Sequence, residues 1–286
     1  MEKNKKMSFK RIYQIIYYQF LKRNYSGITA KSRVLPNFLI IGAVRCGTTS
    51  LYYDICQHPS VEKAAYDEIG FFDDNYHLGE DWYRSLFPTK KKMEKTEQNT
   101  GYAITGEDTP FYIWNNDVIK RVAEMLPNIK LISILRNPVD RAYSNYHLGI
   151  REGTEKRSFD EVVKVDMDYI NSQKEKKVKL NSIDYKKSYI AKGIYSDQLK
   201  EWYEVFNKKQ LCVLSTENFS NNPNETLAKV FEFLEIPNFS IKRFEKQKIS
   251  DYPKMNDDTR KEISKFFSEY NEKLYQMINT KFNWNS

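Results

Sequence analysis

A glycine-bounded loop between an apolar run and a candidate helix constrains the fold most. Residues 37–42 read NFLIIG, a short apolar run that is typical of a buried strand. Residues 42–49 read GAVRCGTT, which matches the phosphate-loop pattern G-x-x-x-x-G-x-[ST] between a strand and a helix. The backbone N–H groups of such a loop, together with the N-terminus of the next helix, bind an anion. A tight glycine turn without a ligand is the alternative.

This loop lacks the lysine of the nucleoside triphosphatases. Thr48 stands at the lysine position. Arg136, and not an aspartate, follows the apolar run 130–135, where an acid that holds magnesium would be sought. An enzyme that acts on a magnesium–triphosphate needs both the lysine and the acid. The loop is therefore predicted to hold a nucleotide phosphate without ATPase chemistry.

Apolar runs alternate with helical patterns along the rest of the chain. This alternation predicts an α/β fold, with a central parallel β-sheet flanked by helices and a ligand site at the carboxyl ends of the strands. We expect one domain over residues 36–286, with the charged residues 155–192 forming helical excursions over the site. The predicted strands are residues 37–42, 102–106, 130–135 and 210–215, and the predicted helices are residues 47–57, 116–126, 224–234 and 257–278, together with one that Asn137 and Pro138 open.

Composition excludes several classes of protein. The 286 residues are 40% hydrophobic, which is enough for a core and argues against a mainly disordered chain. Three cysteines, an odd number, argue against a disulfide scaffold and favour a reducing compartment. No C-x-x-C pair is present and histidine totals three, so we expect no metal site. The net charge of +8 fits an anionic partner and a solvated lysine-rich surface equally well.

Residues 1–35 are basic and rich in aromatic residues. Their apolar run is too short to span a bilayer, and it lacks the cleavage site of a signal peptide. An amphipathic helix on a membrane surface and a helix packed on the flank of the domain both fit the pattern. We expect a cytoplasmic protein, with peripheral membrane contact through this segment as one reading.

A second anion-binding pair follows the run 130–135. Arg136 ends a predicted buried strand, where an unpartnered charge is costly. Ser144 lies about two helical turns further on, so both side chains are predicted to face the crevice and hold one phosphate. Two separate phosphate-binding groups suggest a nucleotide that is phosphorylated at two places.

The chain resembles the sulfotransferases that use 3′-phosphoadenosine-5′-phosphosulfate, especially the heparan-sulfate-type and bacterial branch. Residues 45–51 (RCGTTSL) resemble that family's 5′-phosphosulfate loop, and residues 135–144 (LRNPVDRAYS) resemble its 3′-phosphate motif. The resemblance implies a P-loop-kinase-like sulfotransferase fold and metal-independent sulfuryl transfer to a hydroxyl or amine, with a carbohydrate among the candidate acceptors. Shorter matches are residues 57–59 (QHP), 67–73 (DEIGFFD), 106–110 (GEDTP), 193–195 (GIY) and 252–253 (YP).

The resemblance also implies roles for single residues. Arg45 takes the place of the family's loop lysine and would stabilise the leaving phosphate. Glu68 matches the general base, for which partial burial against Phe71 and Phe72 would raise the pKa. A surface carboxylate without a catalytic role is the alternative for Glu68. The predicted nucleotide-binding residues are Arg45, Cys46, Gly47, Thr48, Thr49, Ser50, Arg136, Ser144, Tyr195 and Lys248.

The sequence departs from the family pattern at three places. Arg45 replaces a lysine, Asp108 stands where many relatives carry lysine, and the stretch around Lys248 lacks a glycine and a second lysine. Asp108 points to a different acceptor or to the loss of one cation. His58 is expected to be structural. The candidate acceptor-binding residues are Glu107, Asp108, His77 and His147.

Two other functions share some of these features. A nucleotide or small-molecule kinase has the same loop and sheet, but Thr48 counts against it. A degenerate relative that binds a nucleotide or polyanion without turnover is the second alternative. An acidic glycan is a candidate acceptor, with the lysine-rich residues 174–192 lining its groove, and a lipid-linked sugar is another. No nucleic-acid partner is expected.

Overall fold

The computed structural model describes residues 28–175, 188–244 and 252–284. Its described strands form a single sheet in the order β2-β3-β1-β4-β5, and every pair is parallel. The predicted α/β fold with a central parallel sheet is therefore confirmed. The strands are β1 (Phe38–Gly42), β2 (Val61–Lys63), β3 (Ile104–Asp108), β4 (Lys130–Leu135) and β5 (Leu211–Ser215).

Helices cover both faces of this sheet, as a parallel sheet requires. They are α1 (Thr48–Ile55), α2 (Glu80–Arg84), α3 (Lys90–Thr100), α4 (Asn116–Met125), α5 (Pro138–Glu152), α6 (Phe159–Glu175), α7 (Tyr195–Val205), α8 (Thr216–Asn221), α9 (Pro223–Phe233) and α10 (Asp257–Ile278).

The central strands β1 and β4 hold the core together. All five residues of β1 are buried, and so are the last five of β4. Ile40 pairs with Ile132, after which the register shifts so that Gly42 pairs with Ser133. The shift comes where β1 leaves the sheet to form the glycine-bounded loop. A Cβ at Gly42 would lie 2.7 Å from Cβ of Ile113, so the strand can end here only with a glycine.

A second apolar cluster lies beside the sheet. It joins α5, α6 and α10 through buried residues that include Val139, Val162, Ile263 and Phe267. Asn137 caps α5, because its Oδ1 accepts the Val139 N–H at 2.9 Å, and Pro138 occupies the first turn as predicted. This packing and capping fix α5, which carries Ser144, relative to the end of β4.

Most predicted elements are found, and the short ones were missed. β4 and α10 have the predicted bounds, while β3 begins and ends two residues later than predicted. The sequence did not predict β2, α2, α3, α7 or α8. Helix α6 fits the predicted helical excursion up to Glu175, and residues 176–187 lie outside the described residues.

The described end of the predicted N-terminal segment packs on the domain. Arg33 donates from Nη1 to the Phe87 carbonyl at 2.5 Å, and the Val34 N–H donates to the Pro88 carbonyl at 3.1 Å. Residues 1–27 lie outside the described residues, so the predicted boundary between residues 35 and 36 stays a prediction. Among the residues that the structure does describe, no helix is both long and apolar enough to cross a membrane.

Glu107 is buried near the end of β3, with 1% of its surface exposed. Its carboxylate accepts hydrogen bonds from the hydroxyls of Tyr83 and Tyr112, at 3.0 Å each, and from that of Thr109 at 2.6 Å. Burial nevertheless raises the pKa of Glu107 to about 7, because removal from water penalises the charged form more than the three donors stabilise it.

We expect Glu107→Gln to flatten the pH dependence of stability in the weakly acidic range. The pKa of Glu107 rises from 4.5 to about 7 on folding, so in this range the folded chain keeps a proton that the unfolded chain releases. The associated stability is complete below the lower value and is lost as the pH rises to the upper one, by about 3 kcal/mol in all. Urea unfolding of wild type and variant measures the slope. Equal slopes would contradict the assignment.

Candidate active site

Several of the predicted site residues lie at the carboxyl ends of the strands. The loop after β1, the residues after β3 and Arg136 after β4 all lie at this edge, because the strands are parallel and adjacent. This is where open parallel sheets bind ligands. The strand order therefore brings together the two motifs that are about 90 residues apart in sequence.

The glycine-bounded loop has the backbone of an anion-binding turn. Arg45 and Gly47 have φ angles of 67° and 89°, in the left-handed region, and Gly47 is the N-cap of α1. Thr48, Thr49 and Ser50 form the first turn of α1, where backbone N–H groups have no acceptor within the helix. The loop thus presents backbone donors and a helix N-terminus, as its sequence pattern predicts.

Thr216, at the start of α8, holds this loop against β4. Its hydroxyl lies 2.6 Å from the Cys46 carbonyl and 3.0 Å from the Leu135 carbonyl. The Ala43 N–H adds a bond to the Ile134 carbonyl at 2.8 Å. The sequence did not identify Thr216. Its position directly after β5 was the available signal, since β5 is the neighbour of β4.

Arg45 joins the two predicted phosphate motifs directly. Its Nε and Nη2 donate to Oγ of Ser144 at 3.2 and 3.1 Å. Ser144 is buried on α5, and Arg45 is half-buried. The residue from the loop and the residue from the second motif therefore line one site.

The charges of two further arginines, Arg136 and the exposed Arg151, act on Arg45, and these three residues form the arginine cluster. The pKa of Arg45 is lowered, first by burial and then by the positive charges of Arg151 and Arg136. Within the described residues none of these three guanidinium groups forms an ion pair with a carboxylate. Like charges without a counter-ion repel one another, so an anion bound beside the half-buried Arg45 would stabilise this cluster.

Sequence reasoning missed Arg151. It lies seven residues after Ser144 on α5, and a spacing of two helical turns places both residues on one face. That spacing was the signal available in the sequence. His147 lies between them, where its ring stacks on Tyr252 with centroids 4.5 Å apart and meets Tyr143 edge-on at 4.4 Å. Burial lowers the pKa of His147 below its ordinary value.

Glu68 lies on irregular backbone between β2 and α2. Its φ of 52° is left-handed, its side chain is exposed, and its N–H donates to the Asp108 carbonyl at 2.9 Å. Phe71 and Phe72 are fully buried in the main core, where the Phe71 ring stacks on Tyr83. The expectation that these two rings would partly bury Glu68 is therefore wrong: they face the core.

Cys46 and Tyr195 support the site from behind. The Tyr195 hydroxyl donates to the Arg136 carbonyl at 3.0 Å and lies 3.6 Å from Sγ of Cys46. Both side chains are buried, and burial raises the pKa of the Cys46 thiol. Their side chains thus link the loop to the second motif, and the direct nucleotide contact that the resemblance implies stays a prediction.

Glu107 and Asp108 are sealed from solvent. Asp108 has no exposed surface, and neither carboxylate oxygen has a hydrogen-bond partner. Burial, followed by the charges of Asp67, Glu107 and Glu68, raises the pKa of Asp108 well above its ordinary value. Both carboxyl groups are thus buried in this conformation, and their contact with an acceptor stays a prediction.

The remaining histidines and Lys248 have no contact with the arginine cluster that the described residues show. His77 is exposed on the turn Tyr76–Leu78. His58 is structural as expected, because its ring nitrogens bond the Pro237 carbonyl and the Ser60 N–H at 2.8 and 3.0 Å. Lys248 lies outside the described residues, so its role stays a prediction.

We expect Arg151→Ala to weaken binding of inorganic pyrophosphate about tenfold, the loss expected for one charged hydrogen bond. The same change should raise the melting temperature in low-salt buffer without polyvalent anions, because it removes a like charge from the cluster. Calorimetric titration and thermal unfolding measure the two effects. Lys229→Ala is the control, since Lys229 already pairs with Glu225 at 3.1 Å. Equal pyrophosphate affinity in both variants would remove Arg151 from the site.

Comparison with known proteins identifies the family. A family model described as a sulfotransferase domain matches residues 35–276. The chain is 24% identical to the membrane-associated sulfotransferase kil1 of Dictyostelium discoideum, over 90% of this chain and 68% of that protein. It is 26% identical to the human bifunctional heparan sulfate N-deacetylase/N-sulfotransferase 2 over 85% of this chain, and it spans 29% of that protein's length.

A solved structure supports the same conclusion. The crystal structure of a sulfotransferase from Alicyclobacillus acidocaldarius matches with a TM-score of 0.65 and 25% sequence identity, covering 88% of this chain and 100% of that one. These matches confirm the resemblance inferred from the two motifs. The chain therefore belongs to the sulfotransferase domain family and is an enzyme of the sulfotransferase class.

Proposed function

We propose that this chain transfers a sulfuryl group from 3′-phosphoadenosine-5′-phosphosulfate to a hydroxyl or amine of an acceptor. The contact between Arg45 and Ser144, at 3.1 and 3.2 Å, carries the proposal, because it unites two separate phosphate motifs in one cationic site. A donor with phosphate at both the 3′ and 5′ positions fits two such motifs. A kinase does not fit equally well, since Thr48 occupies the lysine position.

The side chains of the site suit this donor. The first turn of α1, with Thr48, Thr49 and Ser50, would bind the 5′-phosphosulfate through backbone N–H groups and hydroxyls. Arg136 and Ser144 would bind the 3′-phosphate by charge-assisted and hydroxyl hydrogen bonds. When bound, the donor supplies a sulfuryl group on a phosphate leaving group. Lys248 remains a predicted further contact.

Arg45 and Glu68 have complementary roles in the proposed transfer. Glu68 takes the proton from the acceptor oxygen or nitrogen as that atom forms its bond to sulfur. Arg45 stabilises the negative charge that collects on the 5′-phosphate as the old sulfur–oxygen bond breaks in line. Ser144 holds the Arg45 guanidinium in the site by accepting two of its hydrogen bonds. No metal takes part in this scheme.

A carbohydrate is the proposed acceptor class. The relative named as a bifunctional heparan sulfate N-deacetylase/N-sulfotransferase supports a glycan. The lysine-rich residues 174–192 remain the predicted groove, although residues 176–187 lie outside the described part of the chain. A cytoplasmic location with peripheral membrane contact through residues 1–35 also remains proposed, and the name of the membrane-associated relative supports the second part.

We expect Glu68→Gln to lower kcat for donor consumption at least a hundredfold, since the amide cannot accept the acceptor's proton. Affinity for 3′-phosphoadenosine-5′-phosphate should stay within twofold of wild type. The assay uses the sulfate donor and desulfated heparan, with and without a chelator of divalent metals. Glu94→Gln on the exposed face of α3 is the control.

Each outcome of this assay has a definite meaning. Chelator-resistant turnover that is lost in the Glu68 variant supports the proposal. Full turnover in that variant would contradict the base assignment. Salt-sensitive heparan binding without donor binding would favour a polyanion-binding module, which the arginine cluster also suits.

A further inference from the structure

The backbone that carries Glu68 is hydrogen-bonded to the end of β3 and the residues that follow it. Residues 68–72 belong to no helix or strand, yet three of their N–H groups have fixed acceptors. The Glu68 N–H donates to the Asp108 carbonyl at 2.9 Å. The Gly70 N–H donates to Oγ1 of Thr109 at 3.1 Å, and the Phe72 N–H donates to the Tyr112 hydroxyl at 3.2 Å. Two of the three acceptors are therefore side-chain hydroxyls.

Both hydroxyls donate their hydrogen bond to the same carboxylate. Thr109 donates to Oε2 of Glu107 at 2.6 Å, and Tyr112 donates to Oε1 at 3.0 Å. A hydroxyl has a single proton, so committing it to Glu107 leaves a lone pair directed at the loop N–H. Glu107 thus sets the direction of both hydroxyls, and a chain of hydrogen bonds of this kind is stronger than its separate members.

The network is buried where water cannot replace its bonds. Glu107, Thr109 and Tyr112 are at most 2% exposed. Loss of one hydroxyl would leave a loop N–H without its acceptor, at a cost of about 1–3 kcal/mol if that group stays buried. The loop therefore has a strong reason to keep a single conformation.

We infer that Glu107 is a positioning residue, which fixes residues 68–72 through Thr109 and Tyr112 and so holds Glu68 in place against the acceptor. This inference rests on the proposed role of Glu68 as the base. Proton abstraction needs the carboxylate within hydrogen-bond reach of the acceptor, and misplacement by about 1 Å costs about a hundredfold in rate. Glu68 is exposed on irregular backbone, and the hydrogen bonds of residues 68–72 fix the backbone from which its side chain extends.

Tyr83 offers a matched control for this inference. Its hydroxyl also donates to Oε1 of Glu107 at 3.0 Å, and its ring is also fully buried. Within the described residues, however, no loop N–H donates to that hydroxyl. Tyr83→Phe therefore removes a bond to Glu107 without removing an acceptor from residues 68–72, whereas Tyr112→Phe removes both.

The first measurement is amide hydrogen exchange of the full chain, which needs no sulfuryl-acceptor substrate. We expect Tyr112→Phe and Thr109→Val to speed exchange across residues 68–72 at least tenfold, and Tyr83→Phe to leave it within twofold of wild type. Equal acceleration in Tyr112→Phe and Tyr83→Phe, or no acceleration in any variant, would overturn the inference. Urea unfolding checks that the two tyrosine variants lose similar stability.

The second measurement is turnover of the sulfate donor with desulfated heparan. Tyr112→Phe and Thr109→Val should lower kcat about tenfold while KM for the donor stays unchanged, and Tyr83→Phe should keep kcat within twofold. Equal kcat in the two tyrosine variants would overturn the positioning role. Absence of turnover in wild type would instead contradict the proposed function, and the exchange data would still decide whether the network holds the loop.

Discussion

The two hydrogen bonds from Arg45 to Ser144 are the interaction on which the site depends. They connect the loop after β1, which carries Arg45, to α5 after β4, which carries Ser144. Thr216 and Tyr195 also join this loop to the end of β4, since each contacts Cys46 and the backbone of Leu135 or Arg136. A bound anion would offset the repulsion among Arg45, Arg136 and Arg151, which supports the proposal that this is a phosphate-binding site.

The acceptor side of the site is built by a different principle. Glu68 lies on irregular backbone with a left-handed φ, and its backbone N–H is held by the Asp108 carbonyl at the end of β3. The buried carboxylate of Glu107 is the point where those bonds meet. In the proposed function, one edge of the sheet would thus hold the donor through β1 and β4, and the acceptor through the backbone fixed by β3.

The sequence was sufficient for features that depend on local pattern. The bounds of β4 and α10 were predictable, because an apolar run and a long amphipathic repeat are each marked at both ends. β2 was not, since its three residues, VEK, carry too little pattern. The inward direction of Phe71 and Phe72, the sealed carboxyl of Asp108 and the role of Thr216 depend on contacts between segments distant in sequence, which a single sequence does not contain.

The central claim is that the arginine cluster binds a nucleotide phosphorylated at the 3′ and 5′ positions. Calorimetric titration with 3′-phosphoadenosine-5′-phosphate, without magnesium, tests this most directly on wild type and Arg136→Ala. The account predicts micromolar binding by wild type and at least a tenfold loss of affinity in the variant. Arg136 forms no ion pair among the described residues, so its guanidinium is available to the phosphate and its removal costs that contact. No binding by wild type, or equal binding by both proteins, would contradict it.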